Sequence, residues 1–307
     1  LRASLEYGSY AIKAYDTSSQ LAKLDVKDKQ TADRAVQQVL ALGKLARERV
    51  RCWEEAPKRD DLLGETLRGL GEMGYLATGQ MPMLEAGGVL AAMRAVAWYA
   101  ENDAAGLPAV VAKLKPISDT SVGATLSGWL WVMENKPANL VQNGDFESKG
   151  VNKDKPEADW STVGAPPKWN SWASGDKGSF KLVPGAGREG SVAAAITGAG
   201  SACYLQTVPV RPGEKYLATA WVKGLPEGDG GANFGLRFQM ADGKWHPKRD
   251  LEPSVQPTAG ADGWQPLIIS VTIPADAGRL VLMPGVRSQQ AGTTALIDDL
   301  TLYKITE

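Results

Sequence analysis

Asn139-Leu140-Val141-Gln142-Asn143-Gly144-Asp145-Phe146-Glu147 separates two kinds of sequence. Before it, apolar residues return at three- and four-residue steps. After it, Gly, Pro and Asp punctuate short alternating runs. Asn143-Gly144 is a turn pair that accepts positive φ, and Phe146 between Asp145 and Glu147 has the apolar-between-polar alternation of a half-buried strand. The stretch therefore reads as the entry to a sheet, and it fixes the fold class as α+β in separate domains. A helical bundle is expected over residues 1–137 and a β-sandwich over 138–307.

Upstream, residues 28–55 place Val36, Val39, Leu40, Gly43, Ala46, Val50 and Trp53 on one stripe, and Pro57 ends the helix. Asp60-Asp61 suits the start of a helix that buries Leu63, Leu67, Leu70, Met73 and Ala77 and stops at Gly79. Pro82 opens another, with small residues at Ala86, Gly87, Gly88, Ala91 and Ala92 that allow close approach of a neighbour. Residues 108–115 and 120–134 add two more, and residues 1–20 read as a short helix. About four or five such helices form an antiparallel bundle. It holds no His and no inward pair of carboxylates at helical spacing, so no site is expected there.

Downstream, eight strands are expected at 179–183, 191–197, 202–208, 214–223, 232–240, 264–273, 279–286 and 295–304. Phe234, Leu236, Phe238 and Met240 alternate with Arg237 and Gln239, so the first set faces inward. Tyr216, Ala218, Ala220 and Val222 do the same, leaving Trp221 on the other face. Strands this short and this numerous point to a sandwich or jelly roll.

Composition excludes several classes. A formal net charge of −1, from 34 basic and 35 acidic residues, gives no electrostatic pull toward nucleic acid or anionic lipid, and neither partner is expected. The longest mostly apolar run, residues 86–100, is broken by Arg94 and is shorter than the roughly 20 residues that span a bilayer. Cys52 and Cys203 belong to no Cys-x-x-Cys motif and are expected as buried free thiols. The single His246 has no nucleophile motif beside it, and Asp298 and Asp299, adjacent on a strand, point to opposite faces. The fragment is read as non-catalytic. The start at Leu1-Arg2-Ala3 suggests a mature or excised piece.

Four signatures resemble the jelly-roll carbohydrate-binding modules of families 4, 9, 16 and 22. They are the opening nonapeptide, Leu205 to Tyr216 running into Ala220-Trp221-Val222-Lys223, Gly263-Trp264-Gln265-Pro266, and the closing Ala295-Leu296-Ile297-Asp298-Asp299-Leu300. The upstream half is similar to helical regions that trail the catalytic barrels of bacterial polysaccharide-degrading enzymes. The resemblance implies binding of a polysaccharide or oligosaccharide by a module of a larger glycoside hydrolase, with a catalytic domain before residue 1 and an extracellular or periplasmic location. The alternative is a structural or protein-interaction appendage without a sugar site. The resemblance also implies a structural calcium held by the backbone oxygen of Asp145 and by Glu147, Glu189 and Asp298, oxygen ligands of the type this ion prefers.

A sugar ring offers an apolar C–H face and a rim of hydroxyls, so its site needs an aromatic plane beside hydrogen-bonding groups. Trp221, Arg237 and Gln239 share an outward face if their strands are neighbours. Tyr204 and Trp245 match stacking aromatics of the resembling modules. Trp169 and Trp172, in the unmatched 150–175 insertion, are alternatives, while Trp264 is expected in the core.

Overall fold

The computed structural model describes residues 2–59, 86–118, 120–148, 165–175, 178–225, 231–257 and 263–306. Its contacts separate two units, Leu1–Asn135 and Lys136–Glu307.

The helical periodicity becomes five helices among the described residues: α1 (Arg2–Ala22), α2 (Lys29–Arg59), α3 (Ala86–Asn102), α4 (Leu107–Leu114) and α5 (Ser121–Asn135). Asp28 caps α2. Its Oδ1 accepts from the Thr31 amide at 2.7 Å, while Thr31 Oγ1 accepts from the Asp28 amide at 3.1 Å. The Thr31 amide, and then its hydroxyl donating at 2.7 Å, hold the Asp28 carboxyl below its usual value. The α2 stripe of Ala32, Ala35, Val36, Val39, Leu42 and Ala46 is buried. Close approach at α3 depends on glycine: a Cβ on Gly87 would lie 2.0 Å from the Ser18 carbonyl oxygen of α1, and one on Gly88 2.4 Å from Leu42 Cδ2 of α2. The helix expected over 60–79 lies outside the described residues, and no helix among them is long and apolar enough to cross a membrane.

The second unit is a sandwich of two five-stranded sheets in which every strand pair is antiparallel. Its strands are β1 (Asn170–Ser174), β2 (Ser179–Pro184), β3 (Val192–Thr197), β4 (Ser201–Pro209), β5 (Lys215–Leu225), β6 (Ala232–Gln239), β7 (Ser254–Val255), β8 (Gln265–Thr272), β9 (Arg279–Arg287) and β10 (Thr294–Ile305). One sheet runs β1-β4-β9-β6-β7 and the other β2-β3-β10-β5-β8. Alternation sends Phe234, Leu236, Phe238, Tyr216, Ala218, Ala220 and Val222 into the shared core with Ile297, Leu300 and Leu302. At roughly 25 cal/mol per Å² of apolar area removed from water, this layer is the main stabilising element of the unit.

Two expectations are corrected. The opening nonapeptide is not a strand: Asn143 and Phe146 have φ of 52° and 56°, which breaks the extended repeat. It still runs beside the closing strand. The Leu140 amide donates to the Leu302 oxygen and the Leu300 amide to the Gly144 oxygen, both at 2.9 Å. Phe146 is buried against Trp169, with ring centres 5.5 Å apart. Second, β5 and β6 lie in different sheets, so Trp221 shares no face with Arg237 and Gln239. Alternation assigns a side of a strand but not the sheet to which the strand belongs.

Candidate functional site

The outward face of the β1-β4-β9-β6-β7 sheet carries a groove of about 410 Å³. Register builds its floor. Thr207 pairs with Val281, which pairs with Arg237, placing the three in one row across β4, β9 and β6. Leu205 and Met283 continue the apolar floor, Asn170 and Gln239 add amide groups, and Trp172 and Trp245 form walls. Both tryptophans are large and exposed, at 39% and 42%. Trp172 pairs in register with Cys203, which pairs with Gly285. A Cβ on Gly285 would meet the Ala202 oxygen at 2.2 Å, so this end of the floor stays flat. Burial pushes the Cys203 thiol up to about 12, so it is no thiolate nucleophile.

Trp245 stands on the turn after β6, bridged to Gln239. The next residue anchors it from below. His246 is buried, its amide donates to the Phe238 oxygen at 3.0 Å, and its ring meets Phe238 edge-on. The Lys248 amide donates to Nδ1 at 3.2 Å, which leaves the proton on Nε2 to be donated to Asp276 Oδ1 at 2.7 Å. That bond holds the Asp276 carboxyl below its usual value. Above this base the Arg237 guanidinium lies over the Trp245 ring, 3.8 Å from its centre, while its Nε donates to both Glu252 oxygens at 3.0 and 2.9 Å. The result is a rigid aromatic plane next to a fixed cation, with no nucleophile and base pair among the described lining residues.

Of the expected sugar-binding residues, the groove unites Arg237, Gln239 and Trp245, with Trp172 from the alternatives. Tyr204 is corrected: it is fully buried, packs edge-on to Phe180, and donates its hydroxyl to the Ala195 oxygen at 3.2 Å. Trp221 is corrected as well. It sits on the opposite sheet under Arg188, whose guanidinium lies 3.7 Å from its ring centre. Trp169 belongs to the core, and Trp264 is partly buried against Ala193, Ala195 and Leu296 outside the main core. Thr207 was legible as an outward residue of its strand. Glu252 was not, because it reaches Arg237 from the irregular link between a 3-10 turn at Arg249–Leu251 and β7, which has no periodicity to read.

Two of the acidic residues expected to hold calcium bond one segment of chain, residues 188–192. Asp298 is fully buried. It accepts from the Arg188 amide and Ser191 Oγ at 2.8 Å, and its other oxygen accepts from the Asp299 amide at 2.8 Å. Glu147 reaches the same place, accepting from the Val192 amide at 2.7 Å. A register shift at Asp298 and a φ of 48° at Asp299 let both aspartates face Arg188, contrary to the strict alternation expected. Arg188 pairs with Asp299, not Asp298, so the buried carboxylate has no cationic partner among the described residues, and burial raises its pKa. Glu147 and Asp298 are hard oxygen donors of the type calcium takes, and both bond the 188–192 segment. Glu189 does not join them: it is exposed, and no three acidic, His or Cys side chains converge among the described residues.

No protein-family model and no curated protein matches the chain. Solved structures resemble about half of it. The enzymatically active domain of tailspike protein 4 of bacteriophage CBA120 is 16% identical over 54% of this chain and 21% of its own length, with a TM-score of 0.39. The module TmCBM61, solved with β-1,4-galactotriose, is 23% identical over 55% of this chain and 99% of its own, with a TM-score of 0.36. The CBM22-1 xylan-binding domain of Paenibacillus barcinonensis Xyn10C is 11% identical over 56% and 97%, with a TM-score of 0.37. The chain thus spans about a fifth of the tailspike chain and nearly all of the two modules. With TM-scores below 0.5, the sandwich assignment rests on its strand order and register.

Proposed function

We propose that the second unit binds a glycan, without catalysis, in the groove on the β1-β4-β9-β6-β7 face. The observation that carries this reading is the pair of exposed tryptophans, Trp172 and Trp245, facing one groove whose floor is apolar and whose remaining lining donates and accepts hydrogen bonds. A sugar ring matches that combination, with its C–H face on an indole and its hydroxyls on Asn170, Thr207, Arg237 and Gln239. The similar modules, one solved with β-1,4-galactotriose and one a xylan-binding domain, agree with it. The setting is a module of a larger extracellular or periplasmic glycan-degrading enzyme. Quenching of tryptophan fluorescence across a panel of plant and algal polysaccharides tests the reading. A flat response to every member rejects it in favour of a protein-interaction appendage.

The reading includes a calcium ion at the sandwich edge, held by Asp298 and Glu147 with the backbone oxygen of Asp145. Its support is the buried carboxylate of Asp298, without a cationic partner among the described residues, and Glu147 on the Val192 amide, next to the Ser191 that bonds Asp298. The ion would tie the opening segment to β3 and β10, a structural task with no part in sugar contact.

A further inference from the structure

Arg237 is the one charged side chain among the described residues lining the groove. Its charge is met by Glu252. The two side chains are only 17% and 10% exposed, and both carboxylate oxygens face the arginine Nε. Arg249 reaches the same carboxylate at 3.4 Å, but from a side chain that is 65% exposed, where solvent screens it. One face of the guanidinium is covered by Trp245. These contacts leave Nη2 buried with no hydrogen-bond partner. A buried N–H without an acceptor is costly, and with Nε on Glu252 and Nη2 shut away from the groove no side of the guanidinium offers two parallel donors.

Resting on the groove being a sugar site, we infer that Arg237 and Glu252 work as one charge-neutral device that makes the groove select uncharged sugars. Arg237 backs the Trp245 plane on which an uncharged sugar stacks. Glu252 is the positioning residue: it fixes the guanidinium plane against Trp245 and cancels the charge that would otherwise draw uronate or sulfated glycans. A free arginine fork recognises carboxylates and sulfates in pairs of parallel bonds. Here Nε is taken by an internal carboxylate and Nη2 is buried, so neither forked side of the guanidinium is free. That geometry does not suit a bidentate anion.

The test is a glycan array carrying neutral hexose and pentose oligosaccharides beside uronate-containing and sulfated ones, probed with the full chain and with Glu252→Gln. The wild type is expected to retain neutral glycans only, with affinity changing less than about twofold between low and high salt. E252Q is expected to lose at least about tenfold on those glycans and to gain retention of acidic ones, because the arginine charge is unmasked and its plane released. Should E252Q fail to fold, the wild-type array and its salt response decide. Retention of acidic glycans by the wild type, a steep salt dependence, or unchanged selectivity in a folded E252Q would overturn the device while leaving the sugar site standing. No retention of any glycan by the wild type rejects the site and the device together.

Discussion

The guanidinium carbon of Arg237 lies 3.8 Å from the centre of the Trp245 ring, so an otherwise mobile cation is held flat against an aromatic plane. Lysine keeps the charge but has no plane to stack and no fork for Glu252. Arg237→Lys is therefore expected to weaken glycan binding by about tenfold, the scale of a desolvated cation–aromatic contact with one lost hydrogen bond. Titration calorimetry of the variant checks this, and affinity equal to wild type would remove the stacked arginine from the site.

The sandwich was legible because its strands alternate cleanly. Phe234-Gly235-Leu236-Arg237-Phe238 assigns its own core and surface, and the same pattern named eight strands within a few residues of where they stand. The site was half legible. Arg237 and Gln239 were found as outward residues, but alternation could not say that β5 belongs to the other sheet, and so Trp221 was grouped with them wrongly. Tyr204 failed for a related reason: the core of Phe146, Trp169 and Phe180 closes around it, a tertiary fact that no local pattern carries. The opening nonapeptide was right in place and wrong in conformation, since its two positive-φ residues include Phe146, a residue type that rarely adopts that backbone.

Tyr204 now serves as a control. Tyr204→Phe removes only the hydroxyl that meets the Ala195 oxygen, so stability is expected to fall by about 1 kcal/mol with glycan binding unchanged. Tyr204→Ala should cost about 3–5 kcal/mol through the cavity it leaves. Urea melts beside binding titrations test both. A loss of affinity in folded Tyr204→Phe would return this residue to the site.

Glu214 fastens the ends of β5 and β10. Its carboxyl is held down to about 2 by Lys304, then by the Tyr216 hydroxyl and the Arg211 amide. The ordinary value is 4.5, so the stability from this group is fully present above pH 4.5 and lost as pH falls toward about 2. Glu214→Gln is expected to lower stability at neutral pH and to flatten its decline across that window. Denaturant melts at stepped pH check it; parallel wild-type and variant curves would contradict it.

Asp298 titrates in the opposite sense. Burial raises its pKa above the ordinary 3.8, so its folded-state contribution is most favourable below 3.8 and is lost as pH rises through the raised value. A bound cation would reverse that loss. Calcium is expected to raise the melting temperature near neutral pH, to have no effect below the ordinary carboxylate range, and to have none in Asp298→Asn. A melting temperature indifferent to chelation at neutral pH would exclude the ion.

Calorimetric titration of the full chain and of Trp172→Ala and Trp245→Ala with a panel of neutral oligosaccharides tests the sugar site most directly. A shallow groove with two stacking contacts should bind on the order of μM to mM, about −8 to −4 kcal/mol. Each exposed tryptophan should cost about tenfold or more on removal while leaving the melting temperature near wild type. Binding that survives both substitutions, or a wild type that binds no member of the panel, would contradict the account.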